Sequence, residues 1–334
     1  MSSHVLRSVL ELMSVRPADP VISVRGHAVA REIAAAVDEC CAALETAEMQ
    51  EIRTTLLGCG LADSDCTEII EQVGIRPGSL ARIASLRMAM RVDLREAAAL
   101  ERYLLLYTAV RNAAQISQLR MTDSVLRCLA DELRFLAAPS PRDRARLLAP
   151  TDGFISMAKI VTMRRFPAGQ LHLELSGIPL SWFARLSPGR LTNVLFFLAR
   201  HVRGRGPFFS NHVAWRRKNR LFLTEHEQNL SYFRIAQALA LHPEVKGLFI
   251  ESWLHSPDTF QVSPHLAWLN TPILEHGGLV VVLGKASESC GVFDGSPERK
   301  RLYEQGLFRP TTAMAIWPRA AMLDWAMNHP EFGD

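Results

Sequence analysis

From residue 27 to about 137, apolar residues recur at three- and four-residue spacing with scarcely a break, and Ala, Leu, Arg and Glu dominate. A periodicity of that kind over so long a run confines the first part of the chain to packed helices. Local punctuation places several of their starts. Pro77-Gly78 interrupts the run just before Ser79, which is suited to cap LARIASLRMAMR. Asp93 followed three residues later by Glu96 has the form of a capping box. The helix it opens puts Leu100, Leu104, Tyr107 and Val110 roughly on one face, as a bundle core requires. Thr122 or Asp123 begins another helix, SVLRCLADELRFLA.

The run AAPSPRDRARLLAPTDG (137–153) carries three prolines, a glycine and several charges, and reads as a domain boundary. Its SPRDRARLL portion suits a short helix with Pro141 in the first turn. The expected division is a helical domain over 1–148 and an α/β domain over 149–334. Beyond the boundary, FISMAKIVTMRRF, GQLHLELSGIPL, HVAWRR and RLFLTEH read as strands, with SPGRLTNVLFFLARHV as a helix among them. A regular alternation follows, in which the buried strands VKGLFIESWL, LVVVLG and TTAMAIW are separated and closed by helical segments. The whole is an α+β protein, an all-helical N-terminal domain followed by a mixed α/β domain around a central sheet.

Composition narrows the function classes. A formal charge of +4 on 334 residues is too small for a dedicated nucleic-acid binder. No stretch approaches the ~18 apolar residues a bilayer span needs, and Arg7 and Glu11 break the N-terminal run before it resembles a signal peptide. Cys40, Cys41, Cys59, Cys66, Cys128 and Cys290 show no paired CxxC spacing, so they read as free thiols in a cytoplasmic protein.

Chemistry-bearing residues gather in four places. ARHVRGRGPFFSNHVAWRRKNR (199–220) holds Arg203, Arg205 and Arg216 among seven basic residues with no acid between them, a candidate anchor for a cofactor phosphate. LTEHEQNLSYFR offers Glu225 and His226 as general bases, with Arg234 beside them for substrate. FIESWLHSPDTFQVSPHLAWL ends a buried strand in Glu251, Ser252, Trp253 and His255, with Ser263 and His265 following, and these are expected to line a substrate pocket. Ser252 lacks the GxSxG elbow of a nucleophile. His255, His265 and Glu225 have the residue types of a two-His, one-carboxylate metal site, without its usual ligand spacing. Finally, SPERKRLYEQG starts a helix at Ser296-Pro297 that carries Arg299 and Arg301, further candidates to hold the cofactor, and Tyr303.

The segments ESWLHSP…SPHLAWL and SPERKRLYEQGLFRPT…WPRAAMLDWA resemble an uncharacterised bacterial family across roughly residues 210–328, which implies no activity. ERKRLYEQGLF ahead of a strand is similar to the closing helix of the GNAT family of N-acyltransferases. That resemblance implies transfer of an acyl group from a thioester of coenzyme A or an acyl carrier protein to the amine of a small molecule. It also implies a fourth and fifth strand that part into a V-shaped cleft, and Tyr303 as the acid protonating the leaving thiolate. His255 joins Glu225 and His226 as a candidate base under this reading, and no metal is expected. A metal-dependent oxygenase or hydrolase and a non-catalytic ligand-binding or effector protein are the alternatives.

Overall fold

The computed structural model describes residues 26–76, 78–90, 93–116, 118–144, 147–148, 151–204, 206–214, 224–286, 291–293 and 296–333. The chain divides into two compact units between Pro167 and Ala168, beyond the proline-rich run at 137–153.

The first unit is helical: α1 (Gly26–Leu44), α2 (Ala47–Gly58), α3 (Asp63–Gln72), α4 (Ser79–Met90), α5 (Leu94–Arg111), α6 (Asp123–Ala137) and α7 (Asp152–Val161), with short turns at Ala113–Ile116 and Pro141–Arg144. Capping chemistry sets the starts. The Asp93 carboxylate accepts from the amides of Arg95 and Glu96, while Glu96 reaches back to the Asp93 amide, closing the expected box. Thr122 caps α6 through the Val125 amide. The α5 helix is the hub. Leu100, Tyr103, Leu104, Leu105, Leu106 and Ala109 are all buried, so apolar residues ring it, where the sequence spacing gave a single stripe. Leu100 and Leu104 of that stripe are buried and Tyr107 and Val110 half-buried.

Two strand expectations are corrected here. FISMAKIV forms α7, because the Thr151 hydroxyl accepts from the Phe154 amide at 3.2 Å and nucleates a helix; only Arg165–Pro167 (β1) is extended. The end of RLFLTEH is likewise helical: Thr224 caps a helix that already contains Glu225 and His226. Residues 215–223, including Trp215 and Arg216, lie outside the described residues.

The second unit contains β2 (Leu171–Ser176), β3 (Phe208–Val213), β4 (Gly247–Ser252), β5 (Leu279–Lys285) and β6 (Thr311–Pro318), in the order β2-β3-β4-β6-β5. Its longer helices are α8 (Pro188–Phe197), α9 (Glu225–Leu241), α10 (Pro257–Val262), α11 (Thr271–Glu275), α12 (Pro297–Glu304) and α13 (Arg319–Met327). All neighbouring strands run antiparallel except β3 and β4. One face of the sheet meets α9 and α13, where Tyr232 lies edge-on to Trp317 and Trp325. The other face packs Phe208, Phe249, Met314 and Ile316 against Trp182, Val194, Leu198 and Val202. Gly247 opens β4 with φ +149°, and a Cβ there would lie 2.2 Å from the Trp317 carbonyl oxygen, so only glycine lets β6 approach.

Candidate functional site

The parallel pair β3/β4 is registered at only two positions, Phe209↔Leu248 and Ser210↔Phe249. Beyond them each strand stays in the sheet through its other neighbour. β3 remains paired to β2 as far as Val213, and β4 remains paired to β6 as far as Ser252. The sheet therefore opens between Asn211–Val213 and Ile250–Ser252. Main-chain groups there have no ladder partner across the gap, a wedge in the middle of an otherwise continuous sheet. Strands β4 and β5, where the resemblance implies a V-shaped parting, are not neighbours in this sheet, because β6 lies between them.

Strand alternation decides which side chains flank the wedge. Ser210 and Phe249 share a face, so His212 and Glu251, two residues further along each strand, share it too. His212 is held from β2: its Nε2 lies 3.4 Å from the Glu174 carboxylate and 3.4 Å from the Ser210 hydroxyl, which itself donates to the Glu174 main-chain oxygen at 3.1 Å. Glu251 accepts from Arg185 at 2.8 Å. A carboxylate-oriented imidazole and an arginine-paired carboxylate thus stand on one face of the opening, a pair able to exchange protons with a bound nucleophile. Of these residues, the sequence expectation contained Glu251 alone. The period-two polar positions in HLELS (His172, Glu174) and FFSNH (Ser210, His212) were the available signal.

The loop after β4 gathers a second set. Trp253 lies under the Arg299 guanidinium at 5.0 Å from its ring centroid, and Arg299 donates to the Val292 carbonyl at 2.6 Å and to Ser263 at 3.3 Å. Arg299 and Ser263 are buried, so this arginine, expected at a cofactor, ties the loop to α12. Ser252 accepts from the Leu254 amide and caps the turn Trp253–His255. His255 is buried, with Nδ1 2.7 Å from the Asn270 side-chain oxygen, while Asn270 donates back to the His255 carbonyl at 3.0 Å. His265 is exposed on the turn Pro264–Leu269.

The other expected residues are dispersed. Glu225 and His226 are exposed in the first turn of α9, with His226 against Phe332. Arg234, further along α9, comes so close to Gly169 that a Cβ there would lie 2.8 Å from its Nη1. Tyr303 is half-buried against Phe293, ring centroids 4.9 Å apart. Arg301 is exposed and paired with Glu298 and Gln305 along its own helix. Arg203 is exposed, in the left-handed region at φ +58°, where it ends a π-turn over Leu198–Val202. Arg205 and Arg216 lie outside the described residues. Among the described residues no three His, Cys, Asp or Glu side chains come close enough to hold a metal, so Glu225, His255 and His265 do not assemble as a ligand set. Nor is any described helix long and apolar enough to cross a membrane. The chain matches no family model, no curated protein and no solved structure.

Burial, opposed by the Asn270 hydrogen bond, pulls the His255 pKa down from 6.5 to about 4. The unfolded chain therefore takes up a proton that the folded chain resists across that interval. Stability from this residue is complete above pH 6.5 and is lost as pH falls toward 4, by about 3 kcal/mol in all. Urea unfolding at pH 7 and pH 4.5 is expected to show a larger drop for the wild type than for His255→Gln. Equal drops in the two proteins would mean that His255 titrates normally.

Proposed function

We propose that the chain is an acyltransferase that moves an acyl group from a thioester, on coenzyme A or a carrier protein, to an amine. The observation that carries this reading is the parting of β3 and β4 after two registered pairs. Unpaired main-chain groups along both arms of the wedge suit an extended amide-bearing thioester arm, which they would bind as an added strand. His212, oriented by Glu174, takes the proton of the attacking amine, with Glu251 as the second group on that face. The amine nitrogen bonds to the thioester carbonyl carbon, and main-chain amides at the strand ends stabilise the oxyanion. The C–S bond then breaks and the thiolate leaves with a proton, for which Tyr303 is the candidate donor by its match to the family's tyrosine.

The full chain, incubated with coenzyme A thioesters of graded acyl length and a panel of primary amines, is expected to release thiol in an amine-dependent manner. Mass spectrometry should find the matching amide. Thiol release that ignores the amine would reduce the reading to thioester hydrolysis. No release from either coenzyme A or carrier-protein thioesters, with no thermal stabilisation by coenzyme A, would overturn it.

A further inference from the structure

The helical unit contains a cavity of about 440 Å³, a size typical of sites for small organic ligands. One wall is a stripe of α5, Arg95, Ala98, Ala99 and Arg102, at the spacing that shares a helix face. Met49 beside Glu48, Leu148 and the turn carrying Pro141 and Arg144 complete the lining. Three guanidinium groups therefore meet one carboxylate over an otherwise apolar floor.

Arg102 is the fixed member. It is nine-tenths buried, and Nε and one terminal nitrogen donate to the main-chain oxygens of Leu136 and Ala137 at the end of α6. The other terminal nitrogen makes no hydrogen bond among the described residues and is not fully enclosed, so it can reach a ligand. Burial and then the Arg144 charge lower the Arg102 pKa, while Glu48 opposes them, so the two guanidinium groups are near enough to repel. Arg95 and Arg144 are exposed and meet no carboxylate among the described residues. Elsewhere in the same unit Arg53, Arg82, Arg87, Arg127 and Arg134 each do. Arg95, Arg102 and Arg144 thus line one cavity in which Glu48 is the single acidic residue.

We propose that this cavity binds a small amphipathic anion, an apolar body bearing a phosphate or carboxylate, with Arg102 as the fixed anchor and Arg95 and Arg144 closing on the charged group. The planar guanidinium fork matches either oxyanion, and the two alanines with Met49 and Leu148 accommodate the apolar body. The inference is independent of the acyltransferase reading, which concerns the other unit.

Calorimetric titration of the full chain with hexyl phosphate, hexanoate, hexanol and inorganic phosphate tests it. Saturable binding of hexyl phosphate or hexanoate is expected, at least tenfold tighter than hexanol and than inorganic phosphate. Arg95→Ala and Arg144→Ala are each expected to weaken it about tenfold, while Arg53→Ala, outside the cavity, leaves it unchanged. Both cavity variants alter exposed side chains, so their unliganded melting temperatures should match the wild type; Arg102 is left intact because it also ties down α6. Equal affinity for hexanol would remove the anion site, and equal affinity for inorganic phosphate would reduce it to an adventitious counterion. Insensitivity to both variants, or binding only to vesicles containing phosphatidic acid, would also overturn the proposal.

Discussion

Arg87→Ala is expected to lower the unfolding free energy by about 3 kcal/mol, the lower end of the range for breaking a buried ion pair from one side. Glu101 lies in the middle of α5 with no exposed side-chain surface, and Arg87 of α4 donates to its carboxylate. Arg87 itself keeps a quarter of its side chain in solvent, which softens the loss through water that enters where it stood. The penalty comes from the buried carboxylate, which loses its Arg87 partner. The double variant Arg87→Ala/Glu101→Leu, which takes the charge out of the core altogether, should therefore recover most of the deficit. Urea unfolding of the wild type, both single variants and the double variant forms a cycle that separates the two contributions. If the single variants sum to the double, the pair is not coupled and Glu101 is solvated in some way its burial does not suggest.

The same helix shows what is legible in the residues alone. The capping boxes and N-caps at Asp93, Thr122 and Ser296 were readable because the donor, acceptor and acceptor spacing are all within four residues. Residues 154–161 read as strand because a short apolar run has no decisive period, and Thr151 with Asp152, the local signal for a helix start, sits just outside it. The helical and mixed halves, and the strands carrying VKGLFIES, LVVVLG and TTAMAIW, followed from composition and alternation. The site did not, for a physical reason. Glu174 and His212 meet only through the β2/β3 register, and Glu251 joins their face only because β3 and β4 start in parallel and then part. Neither register nor strand order is written in a local window, so the sequence places Glu251 and Trp253 at a strand end and Arg299 on a helix without telling which of them face the opening. Two turned out to stack on each other, Trp253 on Arg299, and one to flank the wedge.

His212→Ala is expected to reduce amine-dependent acyl transfer by about 10²–10⁴-fold, the usual span for a general base, with thermal stability close to the wild type because the ring is partly exposed. Glu174→Gln leaves a side chain of the same size beside the ring but removes its charge, so a smaller loss of rate is expected. Glu251→Gln distinguishes the second group on the face. Loss of kcat with KM unchanged would mean that it acts on the reacting atoms, whereas a raised KM alone would mean that the Arg185-paired carboxylate holds the amine. Full activity in both His212→Ala and Glu251→Gln would separate the wedge from the chemistry, and the base would then have to be sought among the residues of α9 and the loop after β4.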